Sequence, residues 1–281
     1  VSLPNTPEDW ALFVNLALDQ AYGRERHPMS IAEAAQAFSH SRFPAEPIAT
    51  VRGGDLEGFE GALIRDPSRR KGWGIFFNAA EPSKRRARFT IAHEFGHYLM
   101  HRYFIADDRD GFYCHTAEVP VDATPMENPK QEREADRFAA NLLMPPYDLE
   151  RRISPFEATD LNMLSCCADH YGVSMLAIIQ QWLRLTRLRA VLVVSRDDFV
   201  LWSAASRSAQ GLRRRAFGPP DGEPVEIPAQ SLAAQRELTS YPKEGAPMAP
   251  GVWFPDEAAL EMAIFADRYD FIASLLLLDF E

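Results

Sequence analysis

Arg88-Phe89-Thr90-Ile91-Ala92-His93-Glu94-Phe95-Gly96-His97-Tyr98-Leu99-Met100-His101 is the stretch whose reading decides the fold. Ile91, Ala92, Phe95 and Leu99 recur at spacings of three and four, and no proline interrupts Arg85 to His101, so the periodicity predicts a helix. Residues four apart on a helix stand one above the other, which lets His93 and His97 offer both imidazoles to one divalent ion. Glu94 lies beside them as a general base for a water on that ion, the arrangement of an H-E-x-x-H zinc site. Random placement yields such a pentamer in roughly one chain of this length in a hundred. The flanking sequence therefore has to carry the decision.

Just upstream, Gly72-Trp73-Gly74-Ile75-Phe76-Phe77-Asn78 is short, aromatic and bounded by turn formers, and reads as a strand leading into the metal helix. Gly74 to Phe77 is expected to offer an edge on which an extended peptide pairs. Two histidines leave a catalytic zinc one protein ligand short, and Asn128 to Met144 supplies a candidate. Asn128 suits the N-cap, Pro129 the first helical position and Gln131 a capping box, while Pro145-Pro146 ends the helix. Its apolar stripe runs through Ala135, Phe138, Ala139, Leu142 and Leu143. At about 100° per residue Glu132 and Asp136 border that stripe, whereas Glu134 points well away. Glu132 is therefore the better third ligand. Asp136, one turn on, is placed to accept the free N–H of a ligand histidine and fix its tautomer.

The run Arg88 to His101, followed by Glu132-Arg133-Glu134-Ala135-Asp136-Arg137-Phe138-Ala139-Ala140-Asn141-Leu142-Leu143-Met144-Pro145, resembles the ImmA/IrrE family of zinc metallo-endopeptidases. The resemblance is good over roughly residues 70–190 and weak beyond. It implies a zincin-like fold, a small sheet with an active-site helix and a second helix carrying the glutamate. It also implies His93, His97 and Glu132 as ligands, Glu94 as base and Asp136 as orienting partner. The substrate it implies is a helix-turn-helix transcriptional repressor, cleaved to relieve repression under stress or mobile-element signals. Zn²⁺ is the expected metal, although two histidines and a carboxylate also accept Mn²⁺ and other divalent ions.

The remaining sequence sets bounds. The 281 residues, 46% hydrophobic and 25% charged, are enough for one large domain or two to three small ones with real cores. No apolar run approaches a membrane span and no basic-then-apolar leader opens the chain, so a soluble, cytoplasmic protein is expected. Cys114, Cys166 and Cys167 make no sensible disulfide framework and read as reduced thiols. Cys114 and His115 are adjacent, and neighbours rarely chelate one ion well, so both are left out of the site. His101 lies one turn beyond His97, but Met100 and Tyr103 stand where a metzincin needs glycine and histidine. His101 thus reads as a helix C-terminal residue favoured by the macrodipole. Arg102 to Glu127 lacks periodicity and is expected to be a long loop flanking or covering the cleft.

Pro7 to Tyr22 and Ser30 to Ser39 read as amphipathic helices, the first burying Trp10, Phe13, Leu16 and Ala17. Asp160 to Arg187 holds two helical runs around Tyr171-Gly172-Val173-Ser174, a helix-turn-helix-like unit whose second helix is expected to bury Met175, Ile178, Ile179, Trp182 and Leu183 against the peptidase core. Beyond it, Ala190 to Ser195, Phe199 to Ser203 and Ile272 to Phe280 read as strands, Asp256 to Asp267 as a helix, and Arg213-Arg214-Arg215 as a solvated turn. The expected class is α+β: a zincin-like peptidase domain at 1–158, the helix-turn-helix-like segment at 159–189 packed on it, and a small C-terminal α+β domain at 190–281 for sensing or substrate docking. The competing function is a DNA-binding regulator with a structural metal site, using Arg184, Arg187 and Arg189. A formal charge of −10 argues against it and would instead steer a basic DNA-binding substrate inward.

Overall fold

The computed structural model describes residues 3–56, 58–68, 72–105, 110–115, 128–218, 223–235 and 242–280. The parts of the expected cleft-covering loop at 106–109 and 116–127 lie outside them. The fold is α+β, and the chain divides into two compact units: residues 1–145 with 170–174, and residues 146–169 with 175–281.

In the first unit, helices α1 (Pro7–Tyr22) and α2 (Ile31–Arg42) precede strands β1 (Ile48–Gly54), β2 (Phe59–Arg65) and β3 (Trp73–Asn78). Helix α3 (Lys84–Met100), strand β4 (Gly111–His115) and helix α4 (Pro129–Leu143) follow. The sheet runs β1-β3-β2-β4, with β1 parallel to β3 and β2 antiparallel to both neighbours. The expected substrate edge is thus corrected. β3 is hydrogen-bonded on both sides, as its nearly unbroken apolar sequence suits, and β4 stands at the edge instead. β4 itself falls in the stretch read as loop. Its backbone is recruited by the otherwise open side of β2 and not by any pattern of its own.

Helix α3 starts at Ser83, whose hydroxyl accepts the Arg86 N–H at 3.3 Å. It packs on β2 and β3 and on α1, α2 and α4, so most of its second half is buried. Phe95 meets Phe38 and Phe138 edge-on at centroid separations of 5.9 and 5.6 Å. Gly96 lets α4 approach, because a Cβ there would lie 3.0 Å from Phe138 Cδ1 and 3.3 Å from the Ala135 Cα. Helix α4 is capped by Asn128, whose side-chain Oδ1 accepts the Lys130 N–H at 3.1 Å, and buries the expected stripe Ala135, Phe138, Ala139, Leu142 and Leu143. In α1 the buried face is Trp10, Ala11, Val14 and Leu18, while Leu16 is exposed. The apolar residues of that helix outnumber what one face can cover, and the stripe that packs lies one position along from the expected one.

The second unit holds α5 (Pro146–Arg152), most of α6 (Leu161–Tyr171), α7 (Met175–Leu185), β5 (Ala190–Arg196), β6 (Phe199–Ala205), α8 (Gln210–Phe217), β7 (Ala246–Met248), β8 (Ala259–Ala266) and β9 (Phe271–Leu277). Its sheet is antiparallel throughout, ordered β6-β5-β9-β8-β7. Helix α7 buries Ile178, Ile179, Trp182 and Leu183 and contacts β5, β6 and α5, so its partners include this sheet. The helix expected at 256–267 is a strand. Helix-favouring Ala259 to Ala263 are held extended between β9 and β7, a tertiary override of local propensity. The buried Glu261 shows why the strand is the satisfied state: its carboxylate accepts the Leu232 and Ala233 N–H groups, the Trp253 indole and the Ser274 hydroxyl at 2.8–3.1 Å. The arginine triplet, read as a turn, is helical within α8. Arg189 is occupied by Asp279 and Glu257, which removes it from the set of phosphate candidates. Among the described residues no helix is long and apolar enough to cross a membrane.

Candidate metal centre

Helices α3 and α4 of the first unit bring His93, His97 and Glu132 together, with one donor atom from each within 4.8 Å of the others. His93 Nε2 and His97 Nε2 are 2.9 Å apart, and the Glu132 oxygens stand 3.2 Å from the first and 3.3 Å from the second. Two ligands at 2.0–2.1 Å from a tetrahedral zinc are separated by about 3.3 Å. The donor set thus has the spacing and the chemistry to hold a divalent metal ion.

The tautomers follow from the outer partners. Asp136 Oδ1 lies 3.0 Å from His93 Nδ1 and accepts its proton, leaving Nε2 as a lone pair. On the other side Glu134 Oε2 is 3.1 Å from His101 Nε2, and His101 Nδ1 is 3.0 Å from His97 Nδ1. Glu134 takes the His101 Nε2–H, so the bare His101 Nδ1 accepts from His97, and His97 Nε2 is also a lone pair. Two lone pairs and a carboxylate then converge on one point and require positive charge there. Glu134, expected to face away, is a correction. Its partner is contributed by the C-terminal end of α3, which α4's own helical periodicity does not reveal. His101, 2% exposed, is correspondingly more than a dipole partner.

The protonation energetics agree. Burial opposes a charge on His93, yet hydrogen bonds to Asp136, Cys114 and Glu132 and the charge of Glu94 carry its pKa well above the ordinary value. Burial pushes His97 down to about 4, with Glu132 offsetting only part of the effect. Burial alone would raise Glu132, but its two histidine partners hold it below the usual carboxylate range. A single proton, held at His93, thus serves the metal-free cluster, in the place a divalent ion would take.

Glu94 is fully buried and faces β2, where Gly61 makes its room: a Cβ at Gly61 would lie 2.8 Å from Glu94 Oε1 and 2.4 Å from Thr90 Cγ2. Phe112 of β4 stacks on His97 at 4.7 Å and 23°. Cys114, two residues on, forms a second donor group with His93 and Glu94. Cys114 and His101 were the residues that sequence reasoning left out. The i, i+4 step from His97 to His101 was a usable signal for the second, and nothing local marked the first. Tyr98 is buried and donates to the Glu46 carbonyl at 2.8 Å, and Tyr171 is buried as well. Tyr103 is exposed beside Arg102, and Tyr113 lies on β4.

Residues 48–182 match the family model of the IrrE N-terminal-like domain, Peptidase_M78. Among solved structures, a Mycobacterium tuberculosis transcriptional regulator shares the fold with a TM-score of 0.51 at 11% identity, the alignment covering 94% of this chain and 76% of that one. No curated protein matches the chain.

Proposed function

Since residues 48–182 place this chain in the ImmA/IrrE family of metallopeptidases, we propose that it is a zinc-dependent endopeptidase whose substrate is a helix-turn-helix repressor in the cytoplasm. The observation that carries the reading is the convergence of His93 Nε2, His97 Nε2 and a Glu132 oxygen beside the buried Glu94. His93, His97 and Glu132 would hold the ion, with Asp136 orienting His93 and Glu134 acting on His97 through His101. Zinc bound there would polarise the scissile carbonyl and acidify water. Glu94 takes a proton from the attacking water and delivers it to the leaving amine nitrogen. An extended substrate pairs along the edge of β4, the strand whose Phe112 stacks on His97.

The test combines elemental analysis with proteolysis. One zinc per chain in wild type, its loss in His97→Ala and Glu132→Ala, and abolished cleavage of a repressor encoded beside this gene with zinc retained in Glu94→Gln support the assignment. Zinc whose removal unfolds the chain, with a promoter bound specifically and no Glu94-dependent cleavage, would establish the regulator with a structural metal site. No zinc in wild type would discard the metal centre.

A further inference from the structure

We propose that Cys114 is a fourth metal ligand that closes the site in the resting protein, an inference that rests on the metal-centre reading above. One ring contact and one donor grouping fix the direction of β4's side chains. Strand alternation sends residues 112 and 114 to one face, and Phe112 identifies that face by stacking on His97 at 4.7 Å. Two residues along a strand span about 6.7 Å and four along a helix about 6 Å, so each of the two β4 side chains meets one histidine. Phe112 covers His97, and the Cys114 sulfur lies within 4.8 Å of a His93 ring nitrogen and of a Glu94 oxygen.

The donor groups share a member. His93 belongs both to the His97 and Glu132 set and to the Glu94 and Cys114 set, in each of which the donor atoms lie within 4.8 Å of one another. The thiol therefore sits on the Glu94 side of His93, outside the group formed with His97 and Glu132, and ligation brings its sulfur inward toward that set. A zinc held by two histidines and a carboxylate keeps one position open, and thiolate is among its preferred ligands, at about 2.3 Å. On closure the thiol gives its proton to solvent, its sulfur forms the fourth bond, and the water that held that position leaves. β4 is an edge strand, hydrogen-bonded through β2 on one side, with Gly61 opposite Cys114. A peptide pairing on the free side engages the same strand that carries the blocking ligand, so substrate and thiol compete for one position.

The full-length chain loaded with Co²⁺ in place of zinc tests this directly. Wild type should show an intense near-ultraviolet sulfur-to-cobalt charge-transfer band, retained in Cys166→Ser and Cys167→Ser. The band should be lost in Cys114→Ser, which keeps bound cobalt and its visible ligand-field bands. Zn²⁺ alone should also protect Cys114 of the wild type from iodoacetamide, read by mass spectrometry, and fail to do so in His97→Ala; this arm requires no substitution at position 114. Cobalt bound stoichiometrically to wild type without the charge-transfer band overturns the proposal and leaves the metal centre standing. No stoichiometric cobalt binding overturns both.

Discussion

Gly61→Ala should separate the chemistry from the scaffold. The new Cβ would stand 2.4 Å from Thr90 Cγ2 and 2.8 Å from Glu94 Oε1, against about 3.5–4.0 Å for an ordinary carbon contact. Strand β2 and helix α3 must then part by about 1 Å. Overpacking of this kind costs about 1–3 kcal/mol, and a 1 Å misplacement of a catalytic group costs about 10²-fold in rate. The measurements are urea unfolding of the zinc-loaded chain and kcat/KM on the cleaved repressor. Adding Thr90→Ser removes the 2.4 Å contact, keeps the hydroxyl that donates to the Arg86 carbonyl, and leaves the 2.8 Å contact on Glu94. The double variant should recover most of the stability and little of the activity, a coupling between neighbours that single substitutions do not reveal. A Gly61→Ala chain with wild-type turnover would refute the placement of Glu94 against β2.

Asp136→Asn should weaken zinc binding about tenfold, the low end of the range for an orienting partner because Asp136 is half exposed, and Glu134→Gln should weaken it as well through His101. Competition with a chromogenic chelator reads both, and unchanged affinity in either would remove that arm. In the metal-free chain the His97 pKa falls from 6.5 unfolded to about 4 folded. The unfolded state therefore binds more protons between those values, and stability drops by about 3 kcal/mol as pH falls from 6.5 to 4. His93, raised when folded, contributes stability that is complete below pH 6.5 and lost as pH rises through its folded value. Metal-free stability should thus peak near pH 6.5, and zinc, which takes the place of the His93 proton, should abolish the alkaline decline; a flat urea midpoint from pH 4 to 6.5 would contradict this. Glu261→Gln turns one acceptor into a donor among four donors and should cost about 1.5–3 kcal/mol, read by Trp253 fluorescence during urea unfolding.

The parts of the candidate site legible in the sequence are those set within one helix. His93 and His97 are related by a single turn, Asn128 and Pro129 announce the start of α4, and the stripe Ala135, Phe138, Leu142 orients Glu132 toward the same interior. Each depends on local geometry, so periodicity is enough. Glu134 failed for the complementary reason: its angle on α4 was read correctly relative to the stripe, but its partner His101 comes from the end of α3. β4 and β8 failed in the same way. A five-residue strand among turn formers has no pattern of its own and exists because β2 offers an open edge, and Ala259 to Ala263 prefer helix until β7 and β9 bracket them. Cys114 follows from that. A thiol can be weighed as a ligand only once its strand is known to exist and to face the metal helix, and the residue that fixes this facing is Phe112 on His97. The competition proposed between substrate and Cys114 is therefore carried by pairing between elements, the level of structure at which single-sequence periodicity stops being informative.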